Sequence, residues 1–353
     1  MIDQATNQSP VQAQREAFYA RAQKFELAPL WRVLHGLVPR HPESPAQPAH
    51  WRFSDVRPFL LEAAKLIGTK EAERRVLILE NPGLRGESKL TRSLYAGMQI
   101  VMPGEIAPSH RHAASALRFV LESKGGYTAV DGEKTFLAPG DFVITPAWKW
   151  HEHGNDTDAP IIWLDCLDIH IVNILDCGFR EDTHELTHSL SRPIGASTSE
   201  ATLNMLPMDV DASRRTSPIF NYPYSRTREA LDGISRWRAS DPAAGFKMRY
   251  VNPANGDWAI PTIATWAQLL PAGFQTIPYR STDGTIFVVV EGNGESTIAG
   301  TTFRWGPKDV FVVPSWCEAV HRAASDTVLF GASDRVIQEK LGIWRERVGP
   351  SAA

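Results

Sequence analysis

Cysteine is scarce in this chain of 353 residues, and its cysteines are widely spaced. Cys166, Cys177 and Cys317 are the three present. Folds held together by disulfides need a dense and even-numbered set of cysteines, and cysteine-based zinc modules need closely spaced pairs. The sequence argues against both classes. It is typical of a protein from a reducing compartment, and we therefore expect it in the cytoplasm.

The chain also lacks a strong excess of charge and any long apolar run. Lys and Arg number 37 against 40 Asp and Glu, with no basic stripe interleaved with aromatic residues. A nucleic-acid surface needs such a stripe. No run approaches the roughly 18 apolar residues of a membrane-spanning helix, and residues 1–20 lack the apolar segment of a secretory signal. We therefore expect no nucleic-acid partner and no membrane association.

The chain does contain an internal repeat. Residues 132–153 match residues 300–321 at a constant shift of 168 without a gap. The matched pairs are Pro139/Pro307, Asp141/Asp309, Pro146/Pro314, Trp148/Trp316 and His153/His321, and, after a one-residue slip upstream, Gly104/Gly273 and Arg111/Arg280. So many coincidences indicate that one domain occurs twice.

Three histidines in the first copy have the spacing of a metal site. His110 and His112 lie two positions apart, so on a strand their side chains point to the same side. His151, from a later strand, would complete a set of three imidazoles. Three protein ligands leave positions open for substrate, as in a catalytic metal site. In the second copy the same positions hold Tyr279, Ser281 and Ala319, and we expect that copy to serve packing without a metal.

Short strands with Gly and Pro punctuation predict a mainly β fold. Apolar and aromatic runs at 119–121, 127–130 and 142–144 predict strands, and Asp131-Gly132 predicts a tight hairpin. Helical periodicity covers residues 10–38 and 56–66, and a further helix is predicted at 227–239. We predict a helical N-terminal region at 1–90 that packs on the barrels, a catalytic barrel at 91–180, a connecting segment at 181–255, a degenerate metal-free barrel at 256–340 and a tail at 341–353.

The histidine motifs resemble those of the cupin superfamily. The first motif runs from Gly104 to His110-x-His112, and the second from Pro139-Gly140-Asp141 through Pro146 to His151. More narrowly, the runs at 94–99, 108–112, 115–119 and 127–133 resemble the gentisate 1,2-dioxygenase family, whose members include salicylate and 1-hydroxy-2-naphthoate dioxygenases. The resemblance covers nearly the whole chain. It implies a bicupin with two jelly-roll β-barrels, an N-terminal helical region and a helical connecting segment.

The resemblance also implies an activity and a set of site residues. It implies one Fe(II) per chain, held in the first barrel by His110, His112 and His151 without the glutamate ligand of many cupins, because residues 113–118 contain no carboxylate. It implies ring cleavage of gentisate (2,5-dihydroxybenzoate) by O₂ to maleylpyruvate, in a homotetramer. The residues that it places around the substrate are Arg118, Arg74, Gln99, His153, Tyr95 and Gly97, with His153 and Asp165 in catalytic or supporting roles.

Several of these assignments have alternatives. An unpaired guanidinium is costly inside an apolar barrel, which favours a substrate carboxylate on Arg118, but a structural ion pair is the alternative. His321 persists in the second copy, so His153 could be structural. Tyr95 favours gentisate, whereas Gly97, which leaves more room, favours salicylate, 5-substituted salicylates or 1-hydroxy-2-naphthoate. A cupin isomerase that uses another metal, or a non-catalytic ligand-binding cupin, is the alternative from a different class.

Overall fold

The computed structural model describes residues 10–201 and 205–350, and the chain divides into two units at Glu43/Ser44. The first unit holds helices α1 (Pro10–Gln23) and α2 (Leu30–Leu37). The predicted helical stretch at 10–38 is therefore interrupted, because Pro29 precedes α2 and disfavours helical backbone in the residue before it. No helix within the described residues is both long and apolar enough to cross a membrane.

The second unit is mainly β. Its helices are α3 (Phe53–Leu66), α4 (Thr69–Ala72), α5 (Ile169–Ile174), α6 (Ala196–Ala201), α7 (Tyr224–Ser235) and α8 (Arg335–Lys340). Its strands are β1 (Ala49–Trp51), β2 (Val76–Ile78), β3 (Tyr95–Val101), β4 (Ile106–His112), β5 (Ala116–Glu122), β6 (Tyr127–Val130), β7 (Glu133–Phe136), β8 (Phe142–Thr145), β9 (His151–Gly154), β10 (Ile161–Leu167), β11 (Arg180–Asp182), β12 (Asn221–Tyr222), β13 (Phe246–Arg249), β14 (Ala264–Leu270), β15 (Tyr279–Ser281), β16 (Thr285–Glu291), β17 (Gly294–Ile298), β18 (Thr301–Trp305), β19 (Val310–Val313), β20 (Ala319–Ala323), β21 (Thr327–Ser333) and β22 (Glu346–Val348).

The strands form four sheets, two for each barrel. The first barrel consists of a six-stranded sheet in the order β12-β8-β5-β10-β3-β2 and a five-stranded sheet in the order β11-β4-β9-β6-β7. The second barrel repeats this pattern, with sheets in the orders β1-β19-β16-β21-β14-β13 and β18-β17-β20-β15-β22. The predicted fold class, a mainly β bicupin, is confirmed. Strands β1, β2, β12, β13 and β22 lie outside the two predicted barrel ranges and yet belong to these sheets, and β11 extends beyond the first range.

Residues that persist in both copies make the same contacts twice. Gly132 and Gly300 both have positive φ, 81° and 82°, and Asp131-Gly132 forms the predicted hairpin between β6 and β7. Trp148 and Trp316 both have a φ of 62°, and each ring lies beneath an arginine, Arg111 at 4.5 Å and Arg280 at 5.7 Å. These residues therefore maintain the barrel.

The two six-stranded sheets pack against each other and form the central core. Phe119 of β5 stacks on Phe330 of β21 with ring centroids 4.3 Å apart, and Leu117, Met98 and Val288 are buried in the same cluster. Because side chains alternate along a strand, the residues between them face the interior of their own barrel. Gln99, Arg118 and Asp165 are among those interior residues.

Each barrel takes one edge strand from the chain segment that leads into the other barrel. Strand β1 pairs with β19 of the second barrel, and β12 pairs with β8 of the first. A helix follows each of these strands, and the aspartate of the opposite barrel accepts its first N–H: Asp309 from Phe53 at 2.8 Å, and Asp141 from Tyr224 at 2.9 Å. This cap and the preceding Pro223 explain why α7 begins at Tyr224, three residues before the predicted start, and it ends at Ser235.

Candidate metal centre and its surroundings

The three histidines predicted as ligands lie together in the first barrel. His110 and His112 end β4, and His151 begins β9, where it pairs directly with His110. The ring centroids are 4.2 to 5.2 Å apart, and one nitrogen of each ring lies within 4.8 Å of the others. The predicted alternation of side chains on β4 brings this group together.

Hydrogen bonds fix the tautomer of two of these rings. His112 Nδ1 lies 2.7 Å from the carbonyl oxygen of Ala114, and His151 Nδ1 lies 3.0 Å from that of Lys149. A carbonyl only accepts, so both Nδ1 atoms carry the proton and both Nε2 atoms carry a lone pair. Burial lowers the pKa of His112 to about 4 and that of His110 to about 2. The imidazoles are therefore neutral near pH 7, as metal binding requires.

Arg74 makes the one contact in the site that does not suit a bound metal. Its Nη2 lies against His110 Nδ1 and donates to Pro108 O at 2.6 Å. An arginine cannot accept a hydrogen bond, so this contact requires a bare Nδ1 and places the proton on Nε2. For His110 to bind a metal through Nε2, Nδ1 must carry the proton and donate to Pro108 O, with the Arg74 guanidinium displaced.

Unpartnered polar atoms are concentrated in the first barrel. Among the described residues, ten buried side-chain nitrogen or oxygen atoms lack a hydrogen-bond partner. Six of them lie around the histidines: Gln99 Nε2, Arg118 Nε, His151 Nε2, His153 Nε2, Trp163 Nε1 and Asp165 Oδ1. Such atoms are rare in folded proteins and call for a partner. A metal at His151 Nε2 and a polar ligand beside it supply that partner, so the residues fit a metal site.

Arg118 has an ion-pair partner within the barrel, so the structural ion pair given above as the alternative is present. It is buried, and its Nε lies 3.3 Å from Asp165 Oδ1, an ion pair without hydrogen-bond geometry. Its Nη1 donates to Thr145 Oγ1. Burial raises the pKa of Asp165, and Arg118 opposes that effect. The guanidinium has five N–H groups, so it retains donors for a substrate carboxylate in addition to the ion pair.

Thr128 holds the ring of His153, which is buried beside His151. The Thr128 hydroxyl donates to Glu152 O at 3.1 Å and lies 2.6 Å from His153 Nδ1. Since a hydroxyl has one hydrogen, the second contact is a bond from His153 Nδ1–H to Thr128. His153 Nε2 therefore carries a lone pair, and it has no partner among the described residues.

The room expected beside Gly97 is occupied by this chain. A Cβ on Gly97 would lie 2.5 Å from Val76 Cγ1 and 3.0 Å from the Tyr95 hydroxyl. Tyr95 thus leans over Gly97, and the missing side chain does not enlarge the site. Gln99, two residues on along β3, is buried among the unpartnered atoms.

A cavity of about 300 Å³ reaches the outer side of His110. Arg74 and Ser109 line it together with Arg180, Asp182 and Thr183, which lie on or next to β11. Strand β11 pairs with β4 so that Asp182 lies opposite His110. Thr128, Trp163 and β11 are not among the features predicted from the sequence. Thr128 matches Ser296 at the repeat shift of 168, so both copies have a hydroxyl at this position. That match was the sequence signal that could have identified Thr128.

Comparisons with known proteins agree with this geometry. A family model described as a cupin domain matches residues 97–168. Gentisate 1,2 dioxygenase 1 of Aquipseudomonas alcaligenes is 51% identical, over 97% of this chain and 98% of its own length. The 5-aminosalicylate 1,2-dioxygenase of a Comamonas species is 35% identical, over 95% of this chain and 91% of its own.

A solved structure is similar over the whole fold. The salicylate 1,2-dioxygenase of Pseudoaminobacter salicylatoxidans, described as an adduct with gentisate, superimposes with a TM-score of 0.91 at 32% identity. The superposition covers 99% of this chain and 98% of that one.

Proposed function

The chain belongs to the gentisate 1,2-dioxygenase family of ring-cleaving bicupins, and from that membership we propose that it cleaves gentisate with O₂. The ring opens between the carboxyl-bearing and hydroxyl-bearing carbons, both oxygen atoms enter the product, and the product is maleylpyruvate. The observation that carries the proposal is the group of three neutral histidines surrounded by unpartnered polar atoms in the first barrel. Together these groups can receive a metal and an anionic aromatic acid.

Gentisate is favoured over the other acids that related enzymes use. One relative named for gentisate is 51% identical, and others named for gentisate are 35% and 34% identical, whereas those named for 5-aminosalicylate and 1-hydroxy-2-naphthoate are 35% and 33% identical. Tyr95 and Val76 fill the space beside Gly97, which favours a single ring over a naphthalene. Salicylate and 5-substituted salicylates are the second candidates, because they carry the same adjacent carboxylate and hydroxyl groups.

We propose Fe(II) as the metal, one per chain, held by His110, His112 and His151. Bound there, Fe(II) would supply the redox chemistry toward O₂ that zinc lacks. Three neutral ligands leave its charge uncompensated, which suits a substrate that brings a carboxylate. A zinc or manganese isomerase and a non-catalytic binding cupin are less favoured, since the relatives over nearly the full chain are named as dioxygenases.

Arg118 and Arg74 are the groups suited to hold the substrate carboxylate. Arg118 is fixed by Asp165 and Thr145, so its remaining donors are already oriented for a paired hydrogen bond. Arg74 is half-buried, and burial together with Arg118 lowers its pKa to about 10. A carboxylate near both would relieve their repulsion and draw Arg74 from His110.

His153 is suited to accept a hydrogen bond from the substrate hydroxyl. Its Nε2 lone pair is oriented by Thr128, and burial lowers its pKa well below the usual value, so the ring is neutral. Gln99 Nε2 is a further donor for substrate oxygen. Asp165 keeps Arg118 in position.

We further propose that the protein is a cytoplasmic homotetramer. Helix α2 exposes a cluster of apolar side chains, Leu30, Trp31, Leu34 and Leu37, with Trp31 64% exposed. Apolar patches of this kind mark association surfaces. Sedimentation equilibrium of the purified chain tests the stoichiometry.

The test of the activity is oxygen uptake by protein loaded anaerobically with Fe(II). Gentisate, salicylate, 5-substituted salicylates and 1-hydroxy-2-naphthoate are compared side by side, with product absorbance followed in parallel. We expect uptake with gentisate first. His110→Ala should lose iron and uptake, whereas His321→Ala, the matched histidine in the second barrel, should keep both. Iron-loaded protein that consumes no oxygen with any of these acids would contradict the proposal.

A further inference from the structure

The second barrel contains a cavity at the position equivalent to the metal centre. Its volume is about 310 Å³. Tyr279 pairs with Ala319 across β15 and β20, as His110 pairs with His151 across β4 and β9, and both line the cavity. The interior of the second barrel is therefore not filled at this position.

Lys247 is a charged group of this cavity that makes no direct ion pair with the described residues, although Asp283, Glu346 and Asp241 are near enough to favour its charged form. It lies on β13 opposite Gln268, as Val76 lies opposite Gln99 in the first barrel. Its Nζ lies 4.0 Å from the centre of the Trp266 ring, and it has no hydrogen bond or ion pair with any described residue. The side chain is accessible from the cavity but is surrounded by protein. That burial, together with Arg335, lowers its pKa to about 8.

The other cations of the cavity already have partners. Arg280 pairs with Glu318 at 3.4 Å, and Arg335 pairs with Glu339 at 2.7 Å. Neither cation depends on a ligand for an anionic partner.

The acidic groups of the cavity are engaged as well. Glu346 accepts from the Tyr279 hydroxyl at 2.9 Å, Asp283 from Trp344 Nε1 at 2.8 Å, and Asp241 from Ala243 N at 2.7 Å. These donors are neutral, so the carboxylates still favour the charged form of Lys247, but none of them accepts a hydrogen bond from it. The Lys247 ammonium therefore keeps its donors for a ligand.

His321 offers a second donor to the same cavity. The Ser296 hydroxyl accepts from Trp305 Nε1 at 2.8 Å and lies 2.7 Å from His321 Nδ1. No other acceptor for the Ser296 hydrogen occurs among the described residues, so the hydroxyl donates to Nδ1. His321 Nε2 therefore carries the proton, the reverse of His153. The second barrel thus lacks the three ligand histidines, and its remaining histidine offers a donor at Nε2 where His153 offers an acceptor.

Aromatic side chains form the wall beside Lys247. Trp266 stands where the first barrel has Gly97, and Phe287 where it has Arg118. Their ring centroids are 6.0 Å apart at an interplanar angle of 81°. Pockets for small molecules begin at roughly 300 Å³ and combine apolar walls with a few fixed polar groups. The size and lining suit a ligand of one ring.

We propose that the second barrel binds a small single-ring aromatic carboxylate, with the carboxylate on Lys247 and the ring against Trp266 and Phe287. His321 Nε2–H is the second donor available to it. This is a binding site distinct from the metal centre, and it needs neither metal nor O₂.

The proposal is tested by ¹⁹F NMR of the full-length, iron-loaded protein with 4-fluorobenzoate as the probe. We expect a bound signal that persists in His110→Ala and is retained in Lys247→Arg. Lys247→Met should weaken it about tenfold or more, because a charged hydrogen-bond partner is lost, while turnover at the metal centre stays unchanged. The neutral analogue 4-fluorobenzamide should bind similarly weakly.

Three results would overturn the proposal: no bound signal beyond one that His110→Ala abolishes, a signal unaffected by Lys247→Met, or equal binding of acid and amide. Crystals soaked with 4-bromobenzoate give a readout that needs no variant. The anomalous bromine peak should lie between Trp266 and Phe287, and a peak confined to the first barrel would contradict the site.

Discussion

At the scale of single residues, the paired histidines of the metal centre follow from the sequence spacing within one strand, whereas the contacts around them join different strands. The placement of His110 and His112 follows from the two-residue period of a strand, so the sequence predicts it. The ion pair of Arg118 with Asp165 joins β5 to β10, and no local pattern announces it. The Thr128–His153 bond also joins separate strands, β6 and β9. Residue-level chemistry was thus predictable within a strand, and between strands only where a spaced motif marked it, as it marked His151.

Thr128 offers a direct test of how His153 is oriented. Thr128→Val removes the acceptor for His153 Nδ1–H but keeps the side-chain shape. We expect kcat to fall roughly tenfold to a hundredfold, because a misplaced catalytic group costs about that much, with iron content unchanged. Ser296→Ala removes the matched hydroxyl of the second barrel and should leave kcat unaltered. Steady-state kinetics and iron analysis of both variants measure these effects. Equal kcat for Thr128→Val and wild type would refute the role of Thr128 in orienting His153.

At the scale of elements, each helix that follows an exchanged strand begins on the opposite barrel. Asp309 accepts from Phe53 N and from Gly306 N at 3.0 Å, and Asp141 accepts from Tyr224 N and from Ala138 N at 3.0 Å. One aspartate therefore fixes both a turn of its own barrel and the start of a helix from the other half. The repeat revealed that this aspartate persists, but its helix partner could not be read from the sequence.

Removal of either cap should destabilise the fold. We expect Asp141→Ala to lower the free energy of unfolding by about 1–2 kcal/mol, the usual cost of a lost N-cap. Asp309→Ala should cost more, because it also leaves His50 Nε2, 3.1 Å from Asp309, without its partner. Urea denaturation followed by far-UV circular dichroism measures both, and an unchanged midpoint for either variant would argue against the cap. Asp158→Ala, which replaces an exposed aspartate that caps no helix, tests the specificity of the effect.

At the scale of the whole molecule, a second set of contacts ties the halves together. Glu122 of β5 binds Arg57 of α3 at 3.0 Å and Lys308 of the second barrel at 2.9 Å. Its counterpart Glu291 binds Arg228 of α7 at 3.1 Å. The duplication and the strand-rich barrels could be predicted from the sequence, which also shows that the second copy lacks the three ligand histidines. The exchange of β1 and β12 could not, since strands of two or three residues leave no periodic signal.

Glu122 should make the stability of the molecule depend on pH. Burial acts to raise the pKa of Glu122, but hydrogen bonds from Lys308 and Arg57 outweigh it and hold the pKa below 4.5. A lowered carboxyl pKa adds stability above the unfolded value, and that stability is lost as pH falls through the folded value. Glu122→Gln should therefore lower the free energy of unfolding by about 1 kcal/mol near pH 7.

The difference between Glu122→Gln and wild type should shrink below pH 4.5. Denaturation midpoints of both proteins across this range measure it. Glu291→Gln is the matched control. Glu291 has one cationic partner, Arg228, where Glu122 has two, so this substitution should lower the free energy of unfolding by less. A difference that stays constant down to low pH would contradict the ion-pair account.

The exchange of β1 and β12 has a consequence for how this chain can evolve. Two barrels that each lend an edge strand to the other have the geometry of a domain-swapped dimer whose two chains were joined end to end. In such a molecule, a copy that lacks the three ligand histidines cannot be deleted, because it still supplies and receives a strand. Mutations that erase ligands in one half are tolerated, whereas mutations that separate the halves are not. The half without the three histidines is thus kept by its connectivity and is free to acquire a use of its own.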